Sequence, residues 1–390
     1  MRLFPYLGII AALFFVLLIG VLLRIAPVTS APIAGRSASS TLTVLSGTGG
    51  PAITIENLLP GTIPLLPGAE NRATASAAPP AHKKSATLKP VSAPVLALPP
   101  VTPISGNVSL DAAAAALRAA LVNIVCYAPA GSPIKSISAS GVIITPSGIV
   151  LTNAHVAQYF LLADHSVSCE LRTGSPAVDR YRAALMFISR AWLSANPSVL
   201  TESSPAGDGE HDYAFLAIIG STPLTTSNST PGTVLSTNFP AIVLDHAALA
   251  PDSPVAIASY GAQFLDPSQI QSTLFPTIVF GSVKQVFTFT TDTPDVLALG
   301  GSAAAQEGSS GGGVADAAGE LAATITTSTV EGATDTRNVN AITAAYIQRA
   351  YAEETGSTLE TLLAGSPVSS AAAFASQIPA LEALITTSLH

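Results

Sequence analysis

The sequence predicts an all-β globular domain of the antiparallel sandwich or barrel kind, and two observations predict it. Short runs rich in Val, Ile and Thr recur at residues 138–145, 148–152, 213–219, 255–260, 277–286 and 321–327, punctuated by Gly, Pro and Ser, as strands and their turns are. Helical patterning is confined to the flanks of that region. A short Ala/Leu-rich helix is expected at 111–122 (DAAAAALRAALV), an amphipathic one at 339–354 (VNAITAAYIQRAYAEE), and a second C-terminal piece at 371–388.

The chain of 390 residues opens on a different signal. Residues 3–23 (LFPYLGIIAALFFVLLIGVLL) are almost wholly apolar between Arg2 and Arg24. As a helix they rise roughly 31 Å, the thickness of a hydrocarbon core of about 30 Å. A cleaved signal peptide carries a shorter apolar region of about 7–15 residues, so a retained anchor is the expectation. Both readings send the rest of the chain across the membrane. Arg2 and Arg24 nearly balance, and the very short leading segment with its free amino group favours the amino end inside. The next 80 or so residues are Pro/Ala/Ser/Thr-rich with little periodicity. They bury too little apolar surface to offset their ordering entropy, and read as a disordered linker. As a flexible coil they set an end-to-end distance of about 50 Å.

Composition excludes some functions. Charged residues are 10% of the chain and the net charge is −8, so no clustered basic face is present to neutralise nucleic-acid phosphates. The doublet Lys83-Lys84 lies in low-complexity sequence and reads as a solvated spacer. The two cysteines, Cys126 and Cys169, form no CxxC pair and have no suitably spaced histidines, which argues against a metal site. They are two buried thiols or one disulfide, and an oxidising compartment favours the disulfide.

Three segments pair a reactive side chain with the backbone its chemistry needs. LTNAHV (151–156) places His155 directly after a strand, HDYAFL (211–216) places Asp212 at the entrance to another, and GSSGGG (308–313) surrounds Ser310 with glycine. A serine hydroxyl becomes nucleophilic when an imidazole accepts its proton and a carboxylate orients the imidazole. Glycines beside it let backbone N–H groups converge on a developing oxyanion.

These segments resemble the signatures of trypsin/chymotrypsin-like serine peptidases, T-N-x-H-V, D-[ILVY]-A-[LVF]-L and G-[DN]-S-G-G, in the same His, Asp, Ser order. The TNAHV form is nearest to bacterial Deg/HtrA-type peptidases. The resemblance covers about half the chain. It implies a double β-barrel with His155 as general base, Asp212 as its orienting carboxylate and Ser310 as nucleophile. It further implies an oxyanion hole from the N–H groups of Gly308 and Ser310, and no metal or organic cofactor. The primary pocket would be lined by Ala304, Ala305, Thr326 and Thr327, with no acidic base, so small or medium apolar residues are expected before the scissile bond. Peptide or unfolded protein would be the substrate. Ser309 stands where the family has Asp or Asn, which puts zymogen-style activation in doubt. The roughly 50 residues after the β region are too few for a PDZ domain.

Rival readings are weaker. A hydrolase elbow needs its histidine after the serine, and the only downstream histidine is His390. A phosphate loop needs Lys-Ser/Thr after the glycines. Ser309 lacks the following Gly-Gly, Asp164 and Asp208 lead into no apolar strand, and His165, His211 and His246 default to surface or structural roles. The remaining alternatives are a flexible Gly/Ser loop around Ser310 and a catalytically inactive domain of this fold acting as a cell-surface binding module. The expected division is an anchor over 1–24, a linker over 25–109, the peptidase domain over 110–338, and a C-terminal helical segment and tail over 339–390.

Overall fold

The computed structural model describes residues 89–90, 109–202, 207–222, 238–289, 292–328 and 333–387. The expected membrane segment at 3–23 and nearly all of the expected linker lie outside the described residues. Strand β1 (Lys89–Pro90) is the only part of the linker interior among them, and it pairs with a later strand. Helix α1 (Leu110–Ala120) begins at Ser109, whose hydroxyl accepts the Ala112 N–H, and carries Asp111 in its first turn and Arg118 in its last, matching the helix dipole at both ends. It buries Ala113, Ala114, Leu117 and Ala120 along one stripe.

Strands β2 (Leu121–Tyr127), β3 (Ile137–Ile143), β4 (Ile149–Thr152), β5 (Ser168–Gly174), β6 (Ala177–Ile188) and β7 (Ala214–Ser221) close into a barrel of order β2-β3-β4-β7-β6-β5. A one-turn helix α2 (Ala154–Ala157) follows β4, and α3 (Arg190–Ala195) follows β6. The hairpin β5–β6 is masked in sequence by Glu170, Arg172, Arg180 and Arg182. Arg172 is nonetheless fully buried. Its guanidinium donates to Asn123 Oδ1 and to the carbonyls of Ile270 and Gln271, which supplies the polar partners that a buried charge requires.

Strands β8 (Pro254–Ser259), β9 (Thr277–Ser282), β10 (Gln285–Thr288), β11 (Val296–Ala298), β12 (Gly313–Ala315), β13 (Leu321–Ser328) and β14 (Val339–Thr343) join β1 in a second antiparallel sheet, ordered β1-β10-β11-β14-β13-β12-β8-β9. The helix α4 (Pro267–Ser272) lies between β8 and β9. The expected single run at 277–286 is two strands, because the chain changes partner at its middle. Val283 N–H donates to Ser253 O and Lys284 N–H to Ala298 O, so β9 pairs with β8 and β10 with β11.

One expectation is corrected here. Residues 339–343 are strand, not the start of a helix. Val339, Ala341 and Ile342 are buried, and β14 lies between β11 and β13, whose backbone groups claim it. The sheet therefore runs five residues past the boundary expected at 338. Helix α5 (Ala344–Thr355) begins only after Thr343, whose hydroxyl accepts the Tyr346 N–H. Helices α6 (Leu359–Ala364), α7 (Pro367–Phe374) and α8 (Ile378–Thr386) complete the chain. The span Pro367–Thr386 is, by length and composition, apolar enough to cross a membrane. Here its α7 packs on β6 and β7 and its α8 on α3, with Phe374, Leu381 and Ile385 buried. An aromatic cluster ties α5 to the first barrel, with Phe187 and Tyr351 at 4.9 Å between ring centroids and Phe187 and Tyr213 at 5.7 Å.

Cys126 and Cys169 form a disulfide between directly opposed residues of β2 and β5. The bond closes a loop of sequence separation 43, for which the chain-entropy ceiling is about 4 kcal/mol. Replacing both cysteines by serine is expected to lower unfolding free energy by about 2–4 kcal/mol, read as a lower denaturant midpoint. An unchanged midpoint would contradict that role.

Candidate active site

β4 delivers His155 to the end of the first barrel. Asn153, fully buried at the start of α2, donates its side-chain N–H to the Asp212 carbonyl at 2.9 Å. Asp212 arrives on a turn just before β7, where its N–H donates to Gly209 O. Gly209 has φ +91°, and a Cβ there would lie 2.8 Å from Thr326 Cγ2, so the turn presses directly on β13. His211 is held at φ +57°, a left-handed conformation uncommon outside glycine.

The Asp212 carboxylate is 4% exposed and takes three hydrogen bonds. Oδ1 accepts the His155 backbone N–H at 2.9 Å, while Oδ2 accepts from His155 Nδ1 at 2.8 Å and from the Thr326 hydroxyl at 2.6 Å. An ionised carboxylate only accepts, so opposite one Nδ1 is the donor and Nε2 of the neutral ring keeps its lone pair. The His155 side chain is 28% exposed, Asp212's only 5%. The imidazole thus has one edge in the protein and one towards solvent. Tyr213, next in the chain, is fully buried, and burial pushes its phenol well above the ordinary tyrosine range, so it stays neutral beside the carboxylate.

Ser310 sits on the turn between the loop that follows Gly300 and strand β12. The turn is braced on both the closed barrel and the second, open sheet. Ser140 of β3 donates its N–H to Ser310 O at 2.8 Å and its hydroxyl to Gly308 O at 2.7 Å, and accepts the Tyr260 N–H at 2.8 Å. On the other side Gly311 N–H donates to Ile325 O at 2.9 Å, one residue before Thr326. Gly308 has φ +92° and Gly311 φ +83°, and both glycines are required by close approach: a Cβ on Gly308 would meet Tyr260 O at 2.7 Å. Among the described residues, neither the Gly308 nor the Ser310 N–H has an acceptor within the protein. The neighbouring serine is placed differently. Ser309 is fully buried, and its Oγ accepts from Ser259 Oγ at 3.1 Å.

The structure therefore brings His155 and Asp212 into direct contact and holds the Ser310 turn against residues that flank both. Thr152, three residues before His155, donates its hydroxyl to Ser140 O at 2.8 Å, and Ser140 carries the Ser310 carbonyl. No hydrogen bond joins Ser310 to His155 among the described residues. In unliganded sites of this chemistry that bond is often long and tightens only around substrate.

Of the expected pocket residues, Ala304 and Ala305 are fully buried in the core of the second sheet with Val255, Leu297 and Val314. Thr326 is buried with its hydroxyl committed to Asp212, and Thr327 stands opposite Asn340 in the ladder. The buried Arg337 donates to the Ala305 carbonyl at 2.6 Å and to Gln263 Oε1 at 2.6 Å. Asn153 stands within the TNAHV segment, while the supporting roles of Ser140 and the Thr326 hydroxyl carry no local motif, since each acts across more than 100 residues of sequence.

Comparison with known proteins adds a family match. The family described as "trypsin-like peptidase domain" matches residues 139–323. No curated protein matches the chain. Among solved structures, the Rv3671c protease of Mycobacterium tuberculosis in its active form is similar at 19% identity, with 70% of this chain and 96% of that one covered and a TM-score of 0.39. The serine endoprotease of Yersinia pestis is similar at 18% identity, with 63% and 66% covered and a TM-score of 0.39.

Proposed function

We propose, from the premise that this chain belongs to the trypsin-like serine peptidase family through residues 139–323, that it is a serine endopeptidase using His155, Asp212 and Ser310. The observation that carries the reading is the Asp212 carboxylate, buried and bonded to His155 Nδ1 at 2.8 Å and Thr326 Oγ1 at 2.6 Å.

The chemistry follows from that arrangement. His155 Nε2 takes the Ser310 hydroxyl proton as Oγ attacks the scissile carbonyl. The oxyanion is received by the Gly308 and Ser310 N–H groups, donors worth about 10²–10³ in rate each in comparable sites. The imidazolium, held by Asp212, hands its proton to the leaving amine as the C–N bond breaks, leaving an acyl-serine. Water then attacks the acyl carbon, giving its proton to His155, which returns it to Ser310 as the acid product departs. Each step is carried by the chain's own groups.

Substrate would bind extended along a sheet edge, by main-chain pairing. A basic residue before the scissile bond is disfavoured, because the expected pocket base holds alanines and the Arg337 guanidinium rests on the Ala305 carbonyl. Small or medium apolar residues remain the preference. The Cys126–Cys169 disulfide supports placement outside the cytoplasm, where such bonds persist, on a stalk behind the membrane anchor read at residues 3–23. A cleavage profile on a mixed peptide library tests the reading. Expected is internal cleavage after Ala, Val or similar residues, abolished by Ser310→Ala. Cleavage dominated by Lys or Arg would overturn the preference. Peptide binding without any cleavage would make the domain a binding module.

A further inference from the structure

Helix α5 reaches the site from behind. Tyr346, in its first turn, accepts the His211 backbone N–H on its hydroxyl at 3.0 Å. His211 is the residue immediately before Asp212, and its left-handed φ of +57° sets the direction in which Asp212 leaves the turn. A non-glycine residue in that region stays there only where its surroundings hold it. Two other bonds of the turn are internal to it, Asp212 N–H to Gly209 O and Tyr213 N–H to His211 O. Asn153 and Thr326 hold Asp212 itself, and Tyr346 ties the residue before it to α5.

Tyr346 is itself rigidly held. Its N–H is capped by Thr343 Oγ1 at 3.0 Å, and its ring lies 4.9 Å from the Phe289 ring. The Arg349 guanidinium covers the ring at 5.5 Å and is anchored on Asp295. Asp295 is 1% exposed and also accepts from Thr288 Oγ1, Phe289 N–H and Thr293 Oγ1. Its backbone carbonyl accepts the Thr343 N–H at 2.9 Å. A continuous chain of contacts thus runs from the second sheet through Asp295, Arg349 and Tyr346 to His211 on the turn before β7. Burial also pushes the Tyr346 hydroxyl well above the ordinary tyrosine range, so it remains a neutral hydroxyl able to accept an N–H.

We propose that Tyr346 is a positioning residue for Asp212, so that the C-terminal helical segment sets the geometry of the catalytic carboxylate from outside the two sheets. The proposal rests on the peptidase reading above. It gives α5 a part in the reaction and not only in covering the first barrel.

The test uses the full chain and a fluorophosphonate probe, comparing the wild type with Tyr346→Phe, which keeps the ring against Phe289 and Arg349 and removes only the hydroxyl. Loss of one hydrogen bond is expected to slow labelling at saturating probe by about 5- to 10-fold. The half-saturating probe concentration should stay within about twofold, and amide exchange in the peptide containing His211 and Asp212 should quicken. A helix with a purely structural role predicts fewer labelled molecules, each reacting at the wild-type rate, and that result overturns the proposal. An unchanged rate overturns it as well, while wild-type labelling leaves the peptidase reading standing. A wild type that does not label takes both down together. If Tyr346→Phe fails to fold, Arg349→Lys serves, retaining charge against Asp295 but losing the planar cover on Tyr346. A slower rate with full labelling is expected there too, and an unchanged rate overturns the proposal.

Discussion

Asp212→Asn is expected to lower turnover by about 10⁴-fold while leaving the fold intact. The substitution preserves shape. An asparagine Oδ1 in place of the carboxylate oxygen still accepts the His155 backbone N–H, now 2.9 Å away. The side-chain NH₂, however, would face both His155 Nδ1 and Thr326 Oγ1, which at present donate to Oδ2 at 2.8 and 2.6 Å. Thr326 can rotate its hydroxyl and accept. The imidazole can accept only by moving its proton to Nε2, and a protonated Nε2 cannot take a proton from Ser310. The imidazolium also loses its counter-charge. Turnover per titrated active site and the thermal midpoint, measured together, check this. A loss below tenfold would show that Asp212 is a structural carboxylate.

Gly311→Ala is expected to cost about 3–5 kcal/mol of stability and most of the activity. The residue has φ +83°, and a Cβ would lie 2.0 Å from Ser140 O and 2.4 Å from Thr152 Oγ1. Neither neighbour can move cheaply. Ser140 is a central residue of β3, paired with Asn123, and Thr152 is the last residue of β4. The turn itself must shift, which breaks the Gly311 N–H bond to Ile325 O and the Ser140 bonds to Gly308 O and Ser310 O. A domain of this size loses roughly 2–4 °C per kcal/mol, so the midpoint should fall by about 6–20 °C. A midpoint within about 2 °C of wild type would mean that the turn is not clamped between the barrel and the second sheet.

These two predictions draw on different kinds of information. The Asp212–His155 contact was legible because each residue sits in a short motif that joins a strand end to a reactive side chain, whereas Asp164 and Asp208 lead into no apolar strand. Ser310 was legible through its glycines, and the burial of Ser309 against Ser259 supplies a physical reason for choosing between adjacent serines. What sequence could not display is the bracing. Ser140 is one serine in a strand, Thr326 one threonine among several, and Tyr346 one aromatic on an amphipathic helix. Their roles exist only once residues 168, 114 and 135 positions apart are in contact. The strand at Val339–Thr343 was hidden for a related reason: its five residues run without a break into a helical pattern, and only its neighbours β11 and β13 make it a strand. The disulfide stood between the two. The two cysteines left a choice between buried thiols and one bond, and the register placing Cys126 opposite Cys169 shows why the bond closes.

Covalent labelling addresses the central claim most directly. The folded protein is treated with a fluorophosphonate, digested, and the adduct located by mass spectrometry. The account predicts a single stoichiometric adduct on Ser310, lost in Ser310→Ala and in His155→Ala and retained in Ser309→Ala. An adduct on Ser309, or no adduct at all on protein whose Cys126–Cys169 bond is intact, would contradict it.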